Sequence, residues 1–245
     1  MVSVVIFAGG TGVRMKSADV PKQFLELDGT PIIIRVLQKF AAHPRVDRIV
    51  VACLESHIGH LQGLVEQFGV TKIDAIVPGG ATGFDSIHNG LVRATRDMSP
   101  DDVVLISDGV RPVLTEALIT TCIETARRYE TAVPVVPSID SVLQSEDGAH
   151  CRKALPRGQM FITQAPQGYT VRKIMWAHDE AIRRALPSPV SSSELLIDLG
   201  EEIHLFMGDQ DNIKVTTDYD LHVLRSRYEY QKHHGNQDTE AGHGL

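Results

Sequence analysis

Val2-Ser3-Val4-Val5-Ile6-Phe7-Ala8-Gly9-Gly10-Thr11-Gly12-Val13-Arg14-Met15, followed shortly by Pro21-Lys22-Gln23-Phe24, decides the reading of this chain. Val2 to Phe7 is an apolar, β-branched run short enough to be a buried strand, so the glycines stand where that strand must turn. Such a turn suits phosphate. Glycine lets backbone N–H groups approach an anion closely, and a helix N-terminus beyond it adds a favourable dipole. Arg14 and Lys22 supply fixed positive charge nearby, as a polyphosphate requires. The order Gly9, Gly10, Gly12 lacks the G-x-G-x-x-G spacing of a dinucleotide fingerprint, which argues against a dehydrogenase, and no Walker-type G-x-x-x-x-G-K-[ST] follows.

Outward from this loop, β-branched segments recur at Arg48 to Ala52, Ile73 to Val77, Val103 to Ile106 and Thr131 to Val136. Amphipathic stretches lie between them, from Ile32 to Phe40, Ile58 to Phe68, Ser86 to Arg96 and Thr115 to Tyr129. Alternation of this kind predicts an α/β fold, a mainly parallel sheet joined by crossover helices. Ligand is then expected beyond the carboxyl ends of the strands, where the opening loop sits. From about Ser138 to Arg157 the pattern breaks into polar residues with weak alternation at Asp140 to Ser145, which predicts a protruding β-arm of the sort that packs on a second subunit. A helix around Val171 to Ala185, a strand near Ile203 to Met207 and a last helix from about Asp218 to Gln231 complete one domain, 1–231, with a flexible tail at 232–245.

Composition narrows the class. The chain has 245 residues, 42% apolar and 22% charged, enough for one large α/β core. Its net charge of −7, without a block of Lys or Arg, disfavours nucleic-acid binding. Cys53, Cys122 and Cys151 form no C-x-x-C pattern, so neither a zinc site nor a disulfide framework is indicated, and a reducing cytoplasm suits them. The short N-terminal apolar run lacks a basic leader and nothing approaches the length of a membrane span, so neither a signal peptide nor a membrane partner is expected.

Four further segments carry candidate chemistry. Pro78-Gly79-Gly80-Ala81-Thr82-Gly83-Phe84-Asp85-Ser86 is a second glycine turn after a strand, where Ser86 either starts a helix or, with free amides around it, holds a base or ribose. Ser107-Asp108-Gly109-Val110-Arg111-Pro112 puts a carboxylate at a strand end, able to hold Mg²⁺ beside phosphates or to make an ordinary Asp-Gly turn. Thr163-Gln164-Ala165-Pro166-Gln167-Gly168-Tyr169 reads as a polar turn. In Asp209 to Leu221 a short strand is expected to present Lys214 before a capped helix.

Taken in order, these motifs resemble the sugar-alcohol-phosphate cytidylyltransferases, the group of the methylerythritol phosphate and ribitol 5-phosphate enzymes, over roughly residues 2 to 228. The resemblance implies a Rossmann-like nucleotidyltransferase that joins CTP to a polyol phosphate, releases pyrophosphate, uses Mg²⁺ and works as a cytoplasmic homodimer. By position it makes Arg14, Lys22 and Lys214 catalytic, and assigns Ala8, Gly9, Gly10, Thr11, Gly12, Gly80, Ser86, Asp108 and Gly109 to the nucleotide. Arg111, Ser141, Arg157 and Gln164 are implied for the acceptor, Arg157 reaching across a dimer interface, with Asp108 and secondarily Asp211 for the metal.

The chain departs from that pattern at four places. Ser107 stands where the family commonly has His, Gly83 where an arginine is usual, Ala165 where Thr is common, and Val190-Ser191 where a Thr-Asp pair is expected. These fall where acceptor or base would be read, whereas the triphosphate cations are kept. The first loop and Thr216 to Leu221 are closer to the ribitol phosphate enzymes. Left open are a methylerythritol phosphate acceptor, a uridylyl- or guanylyltransferase on the same fold, and a non-catalytic nucleotide-binding homologue.

Overall fold

The structure, a computed structural model, describes residues 1–9 and 20–234. Along the described chain run β1 (Val2–Ala8), β2 (Glu26–Leu27), β3 (Thr30–Pro31), α1 (Ile32–Ala42), β4 (Arg48–Cys53), α2 (Ile58–Gln67), β5 (Ile73–Pro78), α3 (Gly83–Ala94), β6 (Val103–Asp108) and α4 (Glu116–Tyr129). There follow β7 (Thr131–Pro137), β8 (Leu143–Gln144), β9 (Lys153–Ala154), β10 (Phe161–Thr163), β11 (Gln167–Thr170), α5 (Val171–Arg184), α6 (Ser192–Asp198), β12 (Leu205–Met207) and α7 (Asp218–His234). The main sheet has the order β10-β7-β11-β6-β1-β4-β5, with β12 added beside β7. Its half around β1 is parallel, and β11 enters antiparallel between β6 and β7. The α/β class with a mainly parallel sheet is therefore as expected.

The continuous apolar run of β1 is explained by burial on both faces. Val4 and Ile6 pack into the layer under α1, α2 and α4, while Val5 packs into the opposite layer with α3, α5 and α6. Helix α3 lies so close to the sheet that a Cβ on Gly90 would come within 2.5 Å of Val5 Cγ1. A third, smaller cluster seats Val110 and Val215 together with Leu27, Ile32, Leu221 and Leu224 under α7. That packing fixes the backbone on either side of Arg111 and Lys214.

Local signals the sequence reading passed over account for several differences. Helix α3 begins earlier than Ser86, because Thr82 caps it in a capping box with Asp85. Val190-Ser191, read only as a departure, opens α6, where Ser191 Oγ accepts the Glu194 N–H as its N-cap. The segment Thr163 to Tyr169 is no simple turn: it contains the end of β10 and most of β11, and Tyr169 is fully buried with its hydroxyl donating to Gln167 Oε1 at 2.7 Å. Lys214 lies on an irregular segment rather than a strand, with a backbone bond from Val215 N to Val110 O of 3.0 Å beside it. Residues 138–157 carry the two-stranded hairpin β8-β9. Helix α7 runs to His234, into the expected tail, and from residue 235 that tail lies outside the described residues.

Candidate active site at the carboxyl edge of the sheet

Parallel register aligns the strand ends. Phe7 pairs with Asp108 and Ala8 with Cys53, so the loops after β1, β4 and β6 leave from one edge. Gly109 N donates to Phe7 O at 3.1 Å, and a Cβ on Gly109 would sit 3.2 Å from that of Ala8. On the other side Gly79 N donates to Cys53 O at 2.7 Å. Ser86 is where Gly9, just past β1, meets the Gly79-Gly80 turn. A Cβ on either Gly9 or Gly79 would lie 3.1 Å from Ser86 Oγ, and one on Gly80 only 2.1 Å from Asp85 Cβ. Side chains are excluded from this floor by contact, leaving backbone to face a ligand.

Ser86 itself is buried and used internally. Its Oγ accepts the Gly80 N–H at 3.0 Å and donates to Thr82 O at 2.9 Å. The hydroxyl and the Gly80 amide thus brace the turn at the position that the resemblance assigns to base or ribose.

Asp108 is 5% exposed and carries a cation on each oxygen. Arg111 Nε donates to Oδ2 at 2.9 Å, and Lys214 Nζ lies 2.5 Å from Oδ1. Burial alone would raise this carboxyl; the Lys214 ammonium and the Arg111 guanidinium overcome that and hold it below the ordinary carboxylate value. Arg111 turns its other end to Asn212 O at 2.7 Å, and Gln164 is taken up by both backbone groups of Asp209, donating at 2.7 Å and accepting at 3.1 Å. Arg111 and Gln164, two of the four residues implied for the acceptor, thus have structural work in this chain. Gln23, 1% exposed, donates through Nε2 to Ala8 O at 2.8 Å and so ties the segment of Lys22 to the end of β1.

Ala8, Gly9, Gly80, Ser86, Asp108, Gly109, Arg111 and Lys214 are therefore gathered at one edge, with Lys22 joined through Gln23. Gly10, Thr11, Gly12 and Arg14 lie outside the described residues. Ser141 and Arg157 are exposed on the arm. Asp211 pairs with Arg227, and among the described residues no three His, Cys, Asp or Glu side chains are grouped as metal ligands. With Asp108 already bearing two cations, these residues fit a metal carried by a triphosphate better than one held by the protein alone. Gln23 and Asn212 were missed as functional residues. The signal available was their place inside the Pro-Lys-Gln-Phe and Asn-Ile-Lys-Val motifs, where only the lysines draw attention.

The sequence model of the 2-C-methyl-D-erythritol 4-phosphate cytidylyltransferase family, IspD, matches residues 2–226. The chain belongs to this family. Among IspD relatives, a ribitol-5-phosphate cytidylyltransferase of Streptococcus agalactiae is 36% identical, covering 92% of this chain and 94% of its own length. One of Vibrio parahaemolyticus is 33% identical over 93% and 96%, and a 2-C-methyl-D-erythritol 4-phosphate cytidylyltransferase of Clostridium botulinum is 33% identical over 89% and 93%. The solved structure of the 2-C-methyl-D-erythritol 4-phosphate cytidylyltransferase of Thermus thermophilus superposes with a TM-score of 0.72 at 26% identity, covering 93% of this chain and 98% of that one. The Anaerococcus prevotii 4-diphosphocytidyl-2C-methyl-D-erythritol synthase shares the fold, with a TM-score of 0.79 at 22% identity over 93% and 96%. This IspD-family chain is a cytidylyltransferase, an enzyme of nucleotidyl transfer to a polyol phosphate.

Proposed function

We propose that the chain transfers the cytidylyl group of CTP to ribitol 5-phosphate, giving CDP-ribitol and pyrophosphate. The observation that carries this is the Lys214 ammonium held on the buried Asp108 carboxylate, at the same sheet edge as Gly9 and the Gly79-Gly80 turn. A fixed cation there suits the α-phosphate, and the names of the Streptococcus and Vibrio relatives favour ribitol 5-phosphate as acceptor.

The acceptor phosphate is already an anion, so its oxygen attacks the α-phosphorus without a general base. One P–O bond forms to the acceptor, the bond between the α-phosphorus and the bridging oxygen breaks, and pyrophosphate leaves with that electron pair. The enzyme's task is to align two polyanions that repel each other and to neutralise charge as it shifts. Lys214 does this at the α-phosphate, Lys22 and Arg14 at the leaving pyrophosphate. Mg²⁺ carried by CTP would supply further charge neutralisation at the triphosphate, beside the Asp108 and Lys214 pair. Arg157 and Ser141 serve the acceptor of a second subunit, in a homodimer formed through the arm; exposed Ile139, Leu143, Phe161 and Ile162 on and beside the arm support that assembly. A sedimentation mass of one chain at micromolar concentration would remove the dimer. A cytoplasmic location, with CDP-ribitol feeding a wall or capsule polymer, follows from the same acceptor.

Pyrophosphate release with CTP, UTP or GTP against ribitol 5-phosphate and methylerythritol phosphate tests the proposal. CTP with ribitol 5-phosphate is expected to turn over fastest. Release with no combination contradicts enzymatic activity, and preference for methylerythritol phosphate, which the family name favours, replaces the acceptor.

A further inference from the structure

An ammonium on a four-carbon stem is a mobile charge, and Lys214 does not have a strand ladder to steady it. Its position comes instead from side chains that grip the segment around it. Gln164 holds Asp209 by both backbone groups, at 2.7 and 3.1 Å. A Cβ on Gly208 would come within 2.3 Å of Gln164 Oε1, so that grip also requires the glycine before Asp209. Downstream, Val215 N reaches Val110 O. Between these anchors stands Asn212, 0% exposed. Its Nδ2 donates to Ala165 O at 2.6 Å, and its own carbonyl accepts from Arg111 at 2.7 Å.

The contacts close on themselves. Asp108 holds Arg111, Arg111 holds the Asn212 peptide, and two residues later Lys214 returns to Asp108. We infer that Asn212 is a positioning residue for nucleotidyl transfer, its side-chain amide holding Lys214 at Asp108 by pinning the segment of Lys214 to Ala165. Asn212 Oδ1 has no partner among the described residues, so the donor is what this buried amide contributes. Because an interaction that aligns reacting groups acts on the transition state, its loss falls on kcat rather than on CTP binding.

The inference rests on the cytidylyl-transfer reading, and Asn212→Asp separates the two. The substitution keeps the shape but turns an N–H donor into an oxygen facing the Ala165 carbonyl. The full chain is assayed for CDP-alditol formation, with single turnovers at excess enzyme for the slow variants. Asn212→Asp is expected to lower kcat by about 10²-fold with KM for CTP changed less than about threefold. In a Lys214→Ala background the same substitution is expected to have almost no further effect, since it acts through a group no longer present. An equal drop in both backgrounds, or a wild-type kcat, overturns the inference while leaving cytidylyl transfer intact. An inactive wild type overturns the transfer reading itself. If Asn212→Asp does not fold by circular dichroism, Gln164→Glu enters the same cycle, since it removes the donor to Asp209 O and keeps the acceptor for Asp209 N. Coupling of Gln164→Glu to Lys214 supports the clamp, and additivity overturns it.

Discussion

Asp108 shows how a single residue can be legible in type and not in role. A carboxylate at a strand end, followed by Gly109 and Arg111, marks a charged site in the sequence alone; that it carries Lys214 from more than a hundred residues away depends on the fold of the whole chain. Its carboxyl is held below the ordinary value of 3.8, so the stabilisation it gives is present above that pH and is lost as pH falls through the lower folded value. Asp108→Asn leaves Arg111 buried beside a neutral group and is expected to lose about 3 kcal/mol of unfolding free energy at pH 7. Urea unfolding at pH 7 and below pH 3.8 checks this: the difference from wild type should shrink in acid. An equal difference at both pH values would mean that the charge is not what matters. The resemblance implies Gln164 and Arg111 for the acceptor; their bonds to the backbone of Asp209 and Asn212 span 45 and 101 residues, which no local spacing reveals.

Strands and crossover helices were the readable elements, because period and β-branching are local properties. What escaped was short or interrupted: α6, opened by the Ser191 cap, and β10 and β11 on either side of Ala165-Pro166. Between α3 and α5 lies a further feature with no periodic signature. His178 on α5 stacks on Phe84 at 4.5 Å and on His88 at 5.5 Å, and among the described residues neither of its ring nitrogens is hydrogen-bonded. Burial, aided by the neighbouring His88, lowers its pKa from 6.5 to about 3. Here the unfolded chain binds the proton more tightly, so stability present above pH 6.5 is lost as pH falls toward about 3. His178→Phe, which keeps the stacking and removes the titration, should flatten this loss in thermal unfolding followed from pH 7 to pH 4. An unchanged slope would place the acid sensitivity elsewhere.

At the scale of the molecule, one sheet edge collects the end of β1, the Gly79-Gly80 turn, a buried carboxylate and Lys214, with Lys22 tied in through Gln23. The order of motifs identifies the family, and those that follow β1, β5 and β6 lie at the ends of parallel strands, which the sheet brings together. Acceptor choice is less legible, because Ser141 and Arg157 stand exposed on the arm, in a segment without strong periodicity. A crystal structure of the chain with a non-hydrolysable CTP analogue and Mg²⁺ tests the central claim most directly. The account predicts the α-phosphate within about 3 Å of Lys214 Nζ, with the triphosphate over the turns at Gly9 and Gly80. A nucleotide bound elsewhere, with Lys214 still on Asp108 and no phosphate beside it, would contradict it.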